Sequence, residues 1–113
     1  MEKYQTRFAG KLRKPDMLIG KRQTIIDKEE KPTKQNGSKN KTYFDVQAIV
    51  EGDGLVRYST GAELLTRDLR KWELPARDKV IQKDWRGLFF EGSVYTLEEE
   101  EAIAREKYDI RDY

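Results

Sequence analysis

Residues 42–51 read TYFDVQAIVE, and apolar and polar side chains alternate along this segment. Successive side chains of an extended chain point to opposite sides, so Phe44, Val46, Ala48 and Val50 share one face. That face is typical of a strand that packs against a core. The opposite face is predicted to be exposed and carries Tyr43, Asp45, Gln47, Ile49 and Glu51.

Further elements are predicted on both sides of this strand. A β-rich stretch covers residues 19–31, and a lysine-rich polar loop over 32–41 connects it to the strand. A third strand follows over 55–59, then a short amphipathic helix over 61–72 and a final hairpin over 79–92. This order of three strands, one helix and two strands predicts a mainly β protein with a five-stranded OB-fold barrel. Ligands of that fold lie across strands 2 and 3, between the loop joining strands 1 and 2 and the loop joining strands 4 and 5.

Local signals refine the boundaries of these elements. Thr60 and Glu63 have the spacing of a capping box at the start of the helix. Thr96 and Glu99 repeat this spacing before an acidic C-terminal helix. Gly20 interrupts the first β-rich stretch, and it marks either a bulge within the strand or a turn before a shorter strand.

The charge distribution divides the chain into three parts. The formal net charge is +2 over 113 residues, but residues 1–45 carry +6, residues 46–95 are neutral and residues 96–113 carry −4. We predict a basic N-terminal arm over 1–16, an OB-fold domain over 17–95 and an acidic C-terminal helix or tail over 96–113. Tyr4, Phe8 and Leu12 recur every four residues in the N-terminal segment. This spacing would fit either one stripe of a helix or an extended arm that docks on a neighbour.

The residue types that are missing limit the chemistry. The chain contains neither cysteine nor histidine, which excludes disulfides, thiol nucleophiles, Cys/His zinc sites and imidazole bases. It has no glycine-rich phosphate loop and no nucleophile elbow, so we predict neither an enzyme nor a cofactor. No apolar run reaches the roughly 18 residues of a membrane span, and the N-terminus lacks a signal-peptide stretch. We therefore predict a cytoplasmic protein that does not contact membranes.

Aromatic side chains are the first group of candidate binding residues. Single-stranded nucleic acids are held by aromatic platforms on which bases stack and by a basic groove that follows the phosphates. Trp85 is the strongest candidate platform because it lies at a predicted turn, where a core tryptophan is least expected. The alternative is that Trp85 is an edge residue whose side chain folds back over the barrel. Tyr43 is a second platform on the exposed face, and Tyr58 is either a third platform or a core residue.

Candidate phosphate contacts are concentrated in the two loops that flank the predicted ligand face. Lys34, Lys39 and Lys41 lie in the first loop, and Lys83 and Arg86 lie in the opposite one. Each neutralised phosphate releases counterions, so binding should weaken steeply with salt. The full set of candidate phosphate contacts is Lys21, Arg22, Lys28, Lys34, Lys39, Lys41, Arg57, Lys83 and Arg86.

Two functions fit these features. Single-stranded nucleic-acid binding, with DNA favoured over RNA, is the leading prediction because of the placement of Trp85, Tyr43 and the two basic loops. The alternative is a protein-interaction module, such as a small phage or mobile-element protein that inhibits a host enzyme. Dense charge of both signs and a short helical tail suit that role.

Over residues 17–92 the chain resembles the single-stranded DNA-binding proteins of bacteriophages and mobile elements. The resemblance lies in Ile19-Gly-Lys21, in Lys41-Thr-Tyr-Phe-Asp-Val-Gln47, and in Arg57-Tyr-Ser-Thr-Gly-Ala62 with the two leucines that follow. It implies sequence-tolerant binding of single strands and self-association into a homo-oligomer.

The C-terminal tip is similar to the acidic tail through which bacterial members of this class recruit replication and repair proteins. The segment Asp109-Ile-Arg-Asp-Tyr113 contains acids, an isoleucine and a terminal ring. It departs from the pattern by including Arg111 and by ending in tyrosine rather than phenylalanine. The resemblance implies that Ile110 and Tyr113 contact a replication or repair protein.

Overall fold

The computed structural model describes residues 8–32 and 42–108, and this part of the chain is mainly β. Six strands form one curled sheet, a half-barrel, accompanied by two α-helices. In chain order the elements are β1 (Lys11–Leu12), a 3₁₀ turn (Pro15–Leu18), β2 (Arg22–Pro32), β3 (Thr42–Val50), β4 (Gly54–Thr60), α1 (Glu63–Lys71), β5 (Ala76–Asp84), β6 (Gly87–Phe90) and α2 (Leu97–Tyr108).

The strands lie side by side in the order β1-β4-β3-β2-β5-β6. Neighbouring strands are antiparallel except for β1, which runs parallel to β4. From β2 to β6 the chain has the predicted order of three strands, one helix and two strands. The sequence did not predict β1 or the 3₁₀ turn. Because residues 8–12 are not helical, the helical alternative for the N-terminal arm fails over its described part.

The first long strand begins later than predicted because the chain turns at Gly20. The φ angle of Gly20 is 81°, a left-handed conformation that favours glycine, and its amide donates a hydrogen bond to the Ile81 carbonyl at 2.9 Å. The turn alternative is therefore confirmed, and β2 starts at Arg22. A bulge does occur in β2, but it lies between Ile25 and Asp27.

The core lies between the inner face of the sheet and α1. The predicted inner face of β3 is confirmed, since Phe44, Val46, Ala48 and Val50 are all buried. Burying one large apolar side chain contributes about 1.5–3 kcal/mol to folding. Asp45, which was predicted to be exposed, is buried because Ser59 and Lys31 contact its carboxylate. The rest of the core cluster consists of Leu18, Ile25, Val56, Tyr58, Leu65, Leu69, Ala76, Ile81 and Phe90.

The two predicted capping boxes have different outcomes. The box at Thr60 is wrong because α1 begins two residues later than it requires, and Thr60 instead accepts a hydrogen bond from the Ala62 amide at 3.2 Å. The box at Thr96 is confirmed. Its hydroxyl accepts from the Glu99 amide at 3.1 Å, and the Glu99 carboxylate accepts from the Thr96 amide at 3.0 Å. Among the described residues, neither helix combines the length and the apolar character that crossing a bilayer requires.

Candidate nucleic-acid interface

The strand register places the two predicted ligand loops at opposite ends of β2. The loop of residues 32–41 starts where Pro32 pairs with Thr42, whereas Val80 of β5 pairs with Arg22 at the other end. The β5–β6 turn lies beyond that end. About 3.3 Å of rise per residue gives roughly 45 Å of strand between the two loops. A ligand that touches both loops must therefore be extended. Lys34, Lys39 and Lys41 lie outside the described residues.

The outer face of the sheet, formed by the side chains of β2, β3 and β4 that point away from the core, carries a charge-paired network. One oxygen of Asp45 accepts from the Ser59 hydroxyl at 2.5 Å, and the other lies 2.7 Å from the Lys31 ammonium. Lys31 also lies 3.4 Å from Glu29. The hydrogen bond to Asp45 raises the pKa of Lys31, with a smaller contribution from Glu29. Lys31 therefore stays protonated and does not act as a base toward the Ser59 hydroxyl.

The N-terminal residues lie against this outer face. Arg57, a predicted phosphate contact, donates from Nε to the Gly10 carbonyl at 3.2 Å. Gln47, its neighbour across the strands, donates to the Ala9 carbonyl at 3.1 Å. Arg57 therefore holds the chain's own backbone in this structure.

Tyr58 belongs to the core instead of the surface. It is 1% exposed and pairs with Val46 on the inner face of the sheet. Its hydroxyl donates to Gln23 Oε1 at 2.8 Å, and burial raises its pKa. Its ring has no exposed face on which a base could stack, so the core alternative for Tyr58 is the one observed. Tyr43 is half-buried, and it pairs with Lys31 at the start of β3.

Lys28 and Lys21, two more of the predicted phosphate contacts, also have partners within the protein. The Lys28 ammonium donates to the carbonyls of Leu69 and Trp72, where it satisfies the C-terminus of α1. Burial lowers the pKa of Lys28, although Glu30 opposes the shift. Lys21 lies 3.0 Å from Asp53 and holds the pKa of that carboxyl below its usual value. The role of Lys28 is therefore structural, whereas Lys21 keeps 42% of its side chain exposed.

Three of the described candidates are exposed: Arg22 at the start of β2, and Lys83 and Trp85 on the β5–β6 hairpin. Trp85 is 43% exposed at the turn, and Lys83 is exposed at the end of β5. Arg86, by contrast, has only 13% of its side chain exposed. It lies 2.7 Å from Asp84 and 3.2 Å from Glu100, and these acids, Asp84 foremost, raise its pKa. Arg86 links the hairpin to α2 and offers little surface to a phosphate.

Sequence reasoning missed the contacts that hold α2. Arg67 of α1 lies 2.5 Å from Glu99, and its guanidinium stands 4.7 Å from the centre of the Tyr95 ring. Arg86 contacts the same ring at 4.9 Å. Because Arg67 and Glu99 are distant in sequence, no local pattern could have paired them. Ile110 and Tyr113, the predicted partner contacts, lie outside the described residues.

A cleft of about 220 Å³ lies between the end of α1 and the segment that follows β6. The Trp72 ring contacts Phe90 at 4.6 Å between centroids, and the Lys79 ammonium stands 4.2 Å from the Trp72 ring. Asp68 accepts a hydrogen bond from the Ser93 hydroxyl in this cleft. The sequence predicted Trp72 only as part of the helix face and did not single out Lys79. The cleft is lined by Asp68, Lys71, Trp72, Lys79, Glu91, Gly92, Ser93 and Val94.

Comparison of this chain with protein-family models, with curated proteins and with solved structures finds no match. Within residues 8–32 and 42–108, no group of three or more acidic side chains could hold a metal ion. The resemblance to phage and mobile-element single-stranded DNA-binding proteins therefore stays a prediction from sequence.

Proposed function

We propose that the chain is an OB-like domain that binds single-stranded nucleic acid, DNA in preference to RNA, without catalysis. The observation that carries the proposal is Trp85, a large aromatic residue that is 43% exposed at a hairpin turn beside an exposed lysine. An indole that keeps part of its surface exposed can provide a face on which any base stacks. Lys83 adds a positive charge two residues away.

The strand arrangement supports the OB-like part of this proposal. Strands β4, β3, β2, β5 and β6 are neighbours in one curled sheet, and α1 lies between β4 and β5 in the chain. The OB-fold is a five-stranded, partly open Greek-key barrel. An additional strand, β1, occupies the other side of β4.

The binding surface that we propose is the hairpin, not the outer face of the sheet. On the outer face a phosphate would meet the carboxylates of Glu29 and Asp45, whose nearest cation, Lys31, is already paired. On β5, Lys83 is exposed two residues before Trp85, whereas Lys79 is half-buried and stands over the Trp72 ring.

The test is fluorescence anisotropy of labelled oligo-dT titrated with the protein at about 50 and 200 mM salt, beside a duplex control. Wild-type protein should prefer the single strand and lose affinity at the higher salt concentration. Trp85→Ala should weaken binding by about 1–3 kcal/mol, because a stacking platform is lost. Leu97→Ala is the matched control, since Leu97 is exposed and apolar but not aromatic.

Charge variants locate the phosphate path. Lys83→Ala should weaken binding and reduce the salt dependence by roughly 0.7 in the slope of log affinity against log salt. Arg22→Ala is the charge-matched control. Arg22 pairs with Val80, whose side chain points to the opposite side of β5 from Lys83. Equal losses in the two variants would contradict the hairpin surface, and no binding of oligo-dT at about 50 mM salt would contradict the function itself.

The alternative, a protein-interaction or host-inhibitor module of a phage or mobile element, is favoured by a different observation. Ile49 and Leu55 pair across β3 and β4 and are 52% and 39% exposed on the outer face. Exposed apolar pairs rimmed by charges are typical of protein contacts. If oligo-dT does not bind, this face becomes the surface to mutate.

A further inference from the structure

Residues 8–13, which we call the N-terminal strap, occupy the free edge of β4. Lys11 and Leu12 pair in parallel with Val56 and Arg57, and the Arg13 amide donates to the Arg57 carbonyl at 3.0 Å. At the other end of the strap, Phe8 is buried and only 6% exposed. The strap therefore docks as an extended segment with an apolar anchor at its start.

Most of the polar contacts to the strap are made to its backbone. Gln47 and Arg57 donate to the carbonyls of Ala9 and Gly10. At Gly10 the φ angle is 119°, and a Cβ there would lie 2.9 Å from the Leu55 carbonyl oxygen. A segment that follows the same path along this edge therefore needs glycine at the position of Gly10, and Phe8 fills a buried site two residues before it. The chain's own sequence, Phe8-Ala-Gly10, meets that requirement.

The link between the strap and the rest of the fold is short and extended. The 3₁₀ turn that follows is anchored by Leu18, which is fully buried. Lys14 precedes Pro15 and has φ −85° and ψ 144°, the extended conformation that a following proline imposes. A change of backbone angles at Arg13 would swing the strap away from its own β4. Lys14 would stay with the 3₁₀ turn, because its carbonyl accepts a hydrogen bond from the Met17 amide at 2.9 Å.

We propose that the β4 edge is a docking site for the strap of a second copy of this chain, so that two copies exchange residues 8–13. Every contact that the strap makes within one chain is available between two chains, as in domain swapping. A short tether gives an effective concentration in the millimolar range, so exchange competes with the closed form as the protein concentration approaches that range. The glycine and phenylalanine requirements make a second copy the partner that fits.

Cross-linking tests the exchange in the 113-residue protein, which contains no cysteine of its own. Leu12 and Arg57 are register partners on adjacent strands, which lie about 4.8 Å apart and within the reach of a disulfide. A Leu12→Cys chain mixed with an Arg57→Cys chain under oxidising conditions should form a covalent heterodimer. Leu12→Cys mixed with Leu97→Cys is the control. The double variant Leu12→Cys/Arg57→Cys shows that the pair closes within one chain.

Sedimentation of the wild-type protein supplies the second measurement. With exchange, the mass rises from 13.4 kDa toward twice that value as concentration increases, and it falls again on dilution. Gly10→Val should abolish this rise because the strap no longer fits β4. A wild-type protein that stays monomeric up to millimolar concentration overturns the proposal. The proposal is also overturned if the double variant forms its disulfide within one chain but the mixed single variants do not cross-link. Neither result bears on nucleic-acid binding at the hairpin.

Discussion

The outer face of β2–β4 and the β5–β6 hairpin both carry residues that were predicted to bind a ligand, but their electrostatics differ. On the outer face, Lys31 is paired with Asp45 and Glu29, and Arg57 holds the strap. On the hairpin, Lys83 and Trp85 remain exposed. The comparison teaches that a count of basic residues says little about a binding surface, because the availability of each charge depends on its neighbours.

The physical reason for the difference is position in the sheet. Side chains in the middle of β3 have cross-strand neighbours on β2 and on β4, so an acid and a base placed opposite each other interact. The end of β5 extends past the paired part of β2 and, among the described residues, pairs only with β6. Side chains there meet fewer neighbours and more solvent.

The largest expected effect separates the two aromatic residues that were both predicted as platforms. Tyr58→Ala should lower the free energy of unfolding by about 3–5 kcal/mol, because it empties a fully buried site. Trp85→Ala should change the same quantity by no more than about 0.5 kcal/mol, as expected for surface substitutions. Urea unfolding followed by circular dichroism measures both. Similar losses for the two variants would place Trp85 in the core and remove it as a platform.

A second pair of variants compares carboxylates in the two regions. Asp45→Ala should cost about 1–3 kcal/mol of stability, because it removes a buried acceptor from Ser59 and Lys31. Asp84→Ala should cost no more than about 1 kcal/mol, because the Asp84 side chain is 32% exposed, against 6% for Asp45. Thermal unfolding at neutral pH ranks the two. An Asp84 variant that is the less stable of the two would show that the hairpin depends on its ion pairs more than the outer face does.

The smallest expected effect is a pH dependence of stability that comes from Glu30 of β2 and from Asp53 in the turn between β3 and β4. A hydrogen bond from Arg70, with a second from Thr42, lowers the pKa of Glu30, and Lys21 lowers that of Asp53. Since both folded-state values lie below the unfolded ones, the unfolded chain binds more protons in acid. The resulting stability is present above about pH 4.5 and is lost as the pH falls through the lowered values. Glu30→Gln should flatten the decrease in melting temperature between pH 5 and pH 3, and an unchanged slope would contradict this assignment.

Local patterns predicted most of the secondary structure. Alternation along TYFDVQAIVE identified the buried face of β3, and helical spacing of the leucines identified α1. The capping box at Thr96 also follows from residue types a few positions apart, and the turn at Gly20 is one of the two alternatives that the sequence left open. These features depend on backbone geometry over one strand or one helical turn, which is why sequence alone could predict them.

The candidate site was harder to predict because it depends on residues that are distant in the sequence. Lys28 contacts carbonyls at Leu69 and Trp72, and Arg67 meets Glu99. The strap reaches β4 across more than forty residues. None of these pairings has a local signal, and each one decides whether a charge is available to a ligand.

The sequence by itself predicted strands β2 to β6 and helix α1, and it specified which residue types are present to do chemistry. The tertiary structure decided which way Tyr58 faces, which cations are already paired, and that the chain's own strap occupies the β4 edge. The reason is that secondary structure is specified by periodicities of two and 3.6 residues. Burial and charge pairing, in contrast, depend on the register between strands, which only the folded sheet fixes.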